Sequence, residues 1–188
     1  MISLDPSRAD QVLHSITRSA RARYLPIIGP ERGRILIDLV RKIRPKRMLE
    51  VGSLVGYSTI LMGKELEGDA EIITIDIDKD AAELARENIR NAAVKPRVTV
   101  LAGDALEIIP KLDGKFDLVF LDAAKNEYLD YLRLLEGDLH EGSVVVADNA
   151  GAYAHSMRRY LDYVRNSGKY ESRFIPSSGD GIEVSIRL

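Results

Sequence analysis

The sequence predicts an α/β fold, a mostly parallel sheet covered by helices on both faces, and three observations carry that expectation. Five short β-branched or apolar runs, "RMLEV", "EIITIDI", "RVTVL", "FDLVFL" and "SVVVAD", alternate with segments of helical spacing and charged outer faces. The run Phe116–Leu121 is almost continuously apolar around one Asp, the pattern of a strand buried on both sides. Neither a repeat nor a long Pro/Gly/Ser-rich linker interrupts the alternation, so one domain is expected over 1–188, with right-handed crossovers between parallel strands.

Taken in order, "DPSRADQVLHSITRSARARYL" and "PERGRILIDLVRKI" read as helices, a cap over 1–46 in front of an α/β core over 47–188. Between the second and third runs, Asp78 can cap a helix whose Ala81, Leu84, Ala85, Ile89 and Ala92 share a face, with Glu83/Arg86 and Glu87/Arg90 paired outside. "NEYLDYLRLL" reads as the helix after the fourth run, and "AGAYAHSMRRYLDYVRNSGKY" as a long helix around His155 to Arg165 that carries Tyr153, Tyr160 and Tyr163, as packing residues or as aromatics that stack on a ligand. "ESRFIP" and "GIEVSIRL" are expected to form an antiparallel hairpin at the sheet edge, with "SSGDG" serving only as a tight connection.

Composition narrows the chemistry. With 188 residues the chain can bury a core without staples, and with no cysteine it has no disulfide, thiolate metal site or cysteine nucleophile. No apolar stretch approaches the ~20 residues of a membrane helix and the N-terminus has no signal-peptide core, so a cytoplasmic protein without a membrane partner is expected. The net charge of −2 is unevenly spread: up to Arg47 there are 11 Lys plus Arg against 4 Asp plus Glu, leaving +7 there and −9 beyond. Two readings of the basic segment stand side by side, solvated helix faces or a basic lid that attracts an anionic substrate.

In an open parallel sheet, ligands bind outside the carboxyl ends of the strands, and here those ends are acidic. The first run ends in "LEVGSLVGYS", with Glu50, Gly52, Gly56 and Ser58; its G-x-x-x-G spacing departs from the dinucleotide G-x-G-x-x-G and disfavours a pyrophosphate. Asp76 suits ribose hydroxyls, or is a loop acid. Gly103, Asp104 and Ala105 form a turn for an adenine edge, or Asp104 caps the next helix. Asp122, Asp148 and Asn149 end neighbouring strands beside Lys125, a hard-oxygen set suited to Mg²⁺, with Ca²⁺ or Mn²⁺ as alternatives. Helix capping by Asp122 and turn formation by the other two are the plain structural readings. His14, His140 and His155 are scattered and read as surface or packing residues, His155 lying nearest the metal loop.

"LEVGSLVGYS", "TIDID", "GDA", "FDLVFLDAAKNEYLDYL", "VVADN" and "DGIEVSI", in this order, resemble the catechol and caffeoyl-CoA type of divalent-metal-dependent, S-adenosylmethionine-dependent O-methyltransferases, from about Ile28 to the C-terminus. That resemblance implies a Rossmann-like class I methyltransferase fold, seven strands with the last antiparallel. It implies that Glu50, Gly52, Ser58 and Ile28 hold the methionine end of S-adenosylmethionine, that Asp76 binds its ribose, and that Asp104 and Ala105 lie at its adenine. It further implies a divalent cation on Asp122, Asp148 and Asn149, Asp122 also near the cofactor amino group, Lys125 as catalytic base, a small catechol-like or phenolic acceptor, and a homodimer. The chain departs from the mammalian catechol enzymes at Ala124, where they carry a tryptophan, and in "RFIPSS", where their hydroxyl-binding glutamate has no counterpart. Two alternatives remain at this stage: a tRNA hydroxyuridine O-methyltransferase, for which the basic N-terminal segment would bind nucleic acid, and an NAD(P)-dependent oxidoreductase, which fits the alternation but lacks the glycine fingerprint.

Overall fold

Each apolar run becomes a strand of one seven-stranded sheet in the computed structural model, which describes residues 6–188. The strands are β1 (Arg47–Val51), β2 (Glu71–Asp76), β3 (Arg97–Ala102), β4 (Phe116–Leu121), β5 (Leu139–Ala147), β6 (Tyr170–Ser177) and β7 (Asp180–Arg187), in the spatial order β3-β2-β1-β4-β5-β7-β6. β1 to β5 are parallel, while β7 runs antiparallel to both β5 and β6. The expected α/β fold and edge hairpin are thus observed.

Alternate residues of the central strands face opposite layers. Met48, Ile72, Leu118 and Phe120 pack against Leu36 and Val40 of α2 (Pro30–Ile43) and Met62 of α3 (Tyr57–Gly63). Leu49, Ile73, Val119 and Leu121 meet Leu132 and Leu135 of α6 (Tyr128–Leu135) and Leu161 of α7 (Arg158–Asn166). Both faces of β1 and β4 are therefore apolar, which is why their sequences read as continuous runs rather than alternating ones. β5 begins at Leu139, ahead of the expected "SVVVAD", because its register against β4 shifts between Phe116 and Leu118. Ser143 closes that irregularity by donating to the Phe116 carbonyl (2.8 Å) and accepting from the His140 N–H (2.9 Å).

The first helix is expected from Asp5, a position outside the described residues; α1 runs Arg8–Arg23, with Ser7 and Asp10 closing a reciprocal capping box. α4 (Lys79–Ala92) is capped by Asp78 as expected, but its buried positions are Ala82, Ala85, Ile89 and Ala92, and Leu84 is exposed. The stripe is rotated because α4 packs against α1 and α3 as well as the sheet. The long helix after β5 is shorter than the sequence suggests. Residues 149–157 form successive turns, and α7 starts only at Arg158. A carboxylate elsewhere in the chain explains this: Asp180 accepts the N–H groups of Gly151 (3.1 Å) and Ala152 (2.8 Å), holding them in a non-helical path.

The charge asymmetry also has a tertiary explanation. Basic residues of the first 47 pair with acids further on: Arg32 with Asp148 and Asp180, Arg41 with Glu65, Lys46 with Asp69, Arg47 with Glu71. Four of the eleven basic residues in that stretch are thus paired with acids of the α/β core. Among the described residues, no helix is long and apolar enough to cross a membrane.

Candidate active site

The sheet order reverses between β1 and β4, and at that switch point the strand tips form a row. Each tip is tied to its neighbour by a backbone hydrogen bond: Gly103 N to Asp76 O (2.8 Å), Gly52 N to Ile75 O (2.8 Å), Asp122 N to Val51 O (2.8 Å) and Asp148 N to Leu121 O (3.0 Å). A cavity of about 620 Å³ opens over this row. It is lined by Ile28, Gly52, Ser58, Asp76, Asp104, Ala105, Asp122, Lys125, Asp148 and Asn149, so every site residue expected from the sequence except Glu50 borders one space.

Glu50 lies beneath it. The carboxyl is fully buried and accepts hydrogen bonds from Ser58, Thr59 and Thr74, the last at 2.6 Å. Burial pushes its pKa up to about 7 against the opposing effect of those hydroxyls. Glu50 therefore touches the cavity only through Ser58. Gly52 likewise has a protein reason for being glycine: its φ is +103°, and a Cβ there would run into the Asp122 carbonyl. The glycine lets β1 and β4 close on each other, which is what seats the floor of the cavity.

On the β2–β3 side each acid is satisfied by nearby donors. Asp76 accepts from Leu54 N (2.6 Å) and Asp78 N (3.0 Å), bracing the glycine loop while it faces the cavity. Asp104 accepts from Leu106 N (2.8 Å) and caps the short α5 (Ala105–Ile108). For Asp78 and Asp104 the helix-cap reading holds; for Asp122 it does not, since the following helices take no side-chain cap from it.

On the β4–β5 side the chemistry changes. Asp122 Oδ1 is 2.7 Å from Lys125 Nζ, which also lies 2.9 Å from the Tyr128 hydroxyl. That hydroxyl donates in turn to the Asp148 carbonyl (3.4 Å). Asp148, only 1% exposed, has its pKa pushed up to about 7 by burial and by the charge of Asp122; burial also raises Asp122, against Lys125 and Arg32. Arg32 Nε lies 2.8 Å from Asp148 Oδ1 as an ion pair, yet the N–H does not point at the oxygen, so that buried oxygen has no directed hydrogen bond. Asn149 sits in the left-handed region (φ +62°) and its Nδ2 donates to Asp180 Oδ2 (2.7 Å), leaving its amide oxygen unclaimed. Two mutually repelling carboxylates and a free amide oxygen make a donor set that fits a hard divalent cation. Two acids and an amide fall short of a cluster of three His, Cys, Asp or Glu, and no such cluster occurs among the described residues.

The O-methyltransferase family model matches residues 4–157. The chain belongs to the O-methyltransferase family. Catechol O-methyltransferase B of Danio rerio is 36% identical over 174 residues, covering 86% of this chain and 65% of that protein. This chain thus spans a little under two thirds of the fish protein's length. The catechol O-methyltransferase of Sus scrofa is 36% identical over 172 residues, covering 85% of this chain and 91% of the pig protein. Among solved structures, the O-methyltransferase TomG of Streptomyces achromogenes, in complex with S-adenosylmethionine, superposes with a TM-score of 0.86 at 27% identity, covering 95% of this chain and 90% of that one. The resemblance read from the ordered motifs is therefore borne out, and the oxidoreductase alternative falls to the family match.

Sequence reading missed three residues of this O-methyltransferase site. Tyr128 was hidden inside an ordinary helical pattern. Asp180 stands in a stretch that reads as a tight connection, although it holds the Asn149 amide and the following turn. Arg32 carried a faint signal: a cation in the first turn of a helix opposes the helix dipole, so it needs a specific anionic partner. Tyr153 also lines the cavity, half-exposed, whereas Tyr160 is core and His155 lies on the surface, away from the ligand set.

Proposed function

We propose that this protein transfers the methyl group of S-adenosylmethionine to a hydroxyl of a small phenolic acceptor with two adjacent oxygens, as its catechol O-methyltransferase relatives are named for. The supporting observation is the juxtaposition of Lys125 with the Asp122, Asp148 and Asn149 oxygens at one end of the same cavity that runs past Gly52, Asp76 and Asp104 at the other. Asp76, Asp104 and Ala105 would hold the adenosine end; Ile28, Gly52, Ser58 and Asp122 would hold the amino-acid end, with Glu50 fixing Ser58 from below. Residues 1–46 act as the cap of a single domain, and Mg²⁺ in a cytoplasmic homodimer completes the reading.

Asp122, Asp148 and Asn149 would hold the divalent ion. When bound, that ion supplies Lewis-acid polarisation of an acceptor hydroxyl. Lys125, once its ammonium has released a proton to solvent, stands where it can take the hydroxyl proton, held in place by Asp122 and by the Tyr128 hydroxyl. The oxygen lone pair then forms the C–O bond as the C–S bond breaks, the sulfonium becomes the neutral thioether of S-adenosylhomocysteine, and the proton leaves from Lys125 to solvent. Alignment of the two reactants in the cavity can contribute roughly 7–11 kcal/mol, as in favourable model systems. The tRNA alternative loses part of its support because Arg32, Arg41, Lys46 and Arg47 of the basic N-terminal stretch are paired with acids of the core.

The test is a methyl-transfer assay on catechols and other vicinal phenolic acceptors before and after chelation. Activity should vanish with EDTA and return with Mg²⁺ in excess; full turnover in metal-stripped protein would remove the cation from the proposal.

A further inference from the structure

Each of the three oxygen-bearing residues at the β4–β5 tips has one side-chain heteroatom engaged by a charged neighbour, through a hydrogen bond for Asp122 and Asn149 and through an ion pair alone for Asp148. Asp122 Oδ1 faces Lys125 (2.7 Å), Asp148 Oδ1 faces Arg32 Nε (2.8 Å), and Asn149 Nδ2 faces Asp180 Oδ2 (2.7 Å). Two of the three pins close on each other, because Arg32 NH1 is also 2.6 Å from Asp180 Oδ2. We infer that the Arg32–Asp180 ion pair is the positioning unit of the cation site, fixing which atoms of Asp148 and Asn149 are presented to the ion. The inference rests on the reading of Asp122, Asp148 and Asn149 as cation ligands.

The physical reason lies in what an ionised carboxylate can do. Asp180 can only accept, and it receives donors from Arg32, from Asn149 and from the Gly151 and Ala152 backbone. An amide facing such a group must turn its NH₂ toward it and its oxygen away, so Asp180 decides the orientation of Asn149. The two backbone contacts fix the turn that follows and help to hold Asn149 at its positive φ. Arg32 supplies the charge that keeps two buried or half-buried acids, Asp148 and Asp180, from repelling each other apart. Residues that orient ligands in this way typically alter metal affinity about 10–100-fold when removed.

A purely structural role would be to fasten α2 to the β6–β7 hairpin, but a second link already does this: the Glu31 carboxylate accepts the Ser178 N–H at 2.6 Å. That contact supplies the control. Mn²⁺ binding to the whole protein with S-adenosylhomocysteine present would be measured by calorimetry and by the Mn²⁺ electron paramagnetic resonance signal, for wild type, Arg32→Met, Arg32→Lys, Asp180→Asn and Glu31→Ala. Asp180→Asn should weaken Mn²⁺ about 10–100-fold, because an amide at 180 no longer dictates the Asn149 orientation. Arg32→Met should do the same, and Arg32→Lys should recover part of the loss. The affinity for S-adenosylhomocysteine should stay within about twofold throughout, and Glu31→Ala should lower the melting temperature without touching Mn²⁺ binding. Wild-type Mn²⁺ affinity in both Arg32→Met and Asp180→Asn would overturn the inference alone, as would an equal loss in Glu31→Ala. Should Arg32→Met fail to fold, Asp180→Asn and Arg32→Lys still decide. A wild type that binds S-adenosylhomocysteine but no Mn²⁺ would remove the cation reading itself, and the inference with it.

Discussion

The two halves of the strand-tip row solve the problem of buried acid in opposite ways. On the β1–β2–β3 side, Glu50, Asp76 and Asp104 are each satisfied by hydroxyls or backbone N–H groups of their own neighbourhood. On the β4–β5 side, Asp122 and Asp148 lean on cations, Lys125 and Arg32, and still leave a buried oxygen without a directed donor. The first half is complete as folded, whereas the second is balanced by charge, and the proposed cation would complete it. Acidity alone therefore does not distinguish a binding wall from a reacting centre; the kind of partner each acid has found does.

The largest effect is expected at the reacting half. Lys125→Ala should lower kcat about 10²–10⁴-fold while the affinity for S-adenosylhomocysteine, measured by calorimetry, changes little. A matching loss of cofactor affinity would erase the division between the halves. Next comes the seam between them. Gly52→Ala places a side chain in a left-handed position against the Asp122 carbonyl and should cost about 3–5 kcal/mol, read as a fall in Tm and in denaturation midpoint. Unchanged stability there would mean that β1 and β4 need not approach so closely. The smallest effect sharpens the satisfied half. Glu50 has a folded pKa raised to about 7, so the folded state holds its proton where the unfolded chain has lost it. Stability from this group is present below the unfolded value near 4.5 and is lost as pH rises toward 7, by up to about 3 kcal/mol. Glu50→Gln should flatten the stability profile between about pH 4.5 and 7 in chemical denaturation. An unaltered slope would show that the three hydroxyls hold Glu50 ionised.

How far sequence reaches depends on which interactions are local. The alternation of apolar runs gave the strands and most helices, because strand and helix periods are set by residues a few positions apart. Asp78 and Asp104 were legible as caps for the same reason, since the N–H groups they accept lie two or three residues on. Ala85, Ile89 and Ala92 of the α4 stripe are buried as the spacing predicts, but Ala82 completes it in place of Ala81 and Leu84, and the helix after β5 is shorter than its pattern, where partners come from far along the chain: α1 for the first, Asp180 for the second. Arg32 and Asp180 were absent from the expected site because they stand 148 residues apart and neither belongs to a local pattern.

The sequence by itself determined the sheet, the acidic strand tips, the membership of the O-methyltransferase family and the identity of ten of the residues that line the cavity. Only the tertiary structure decided that Glu50 lies under the cavity rather than in it, that Gly52 is required by another strand's carbonyl, and that Arg32 and Asp180 brace Asp148 and Asn149. The reason is physical: periodicity and capping are encoded over a few residues, whereas electrostatic pairing and close backbone approach depend on distances that exist only once the strands lie side by side.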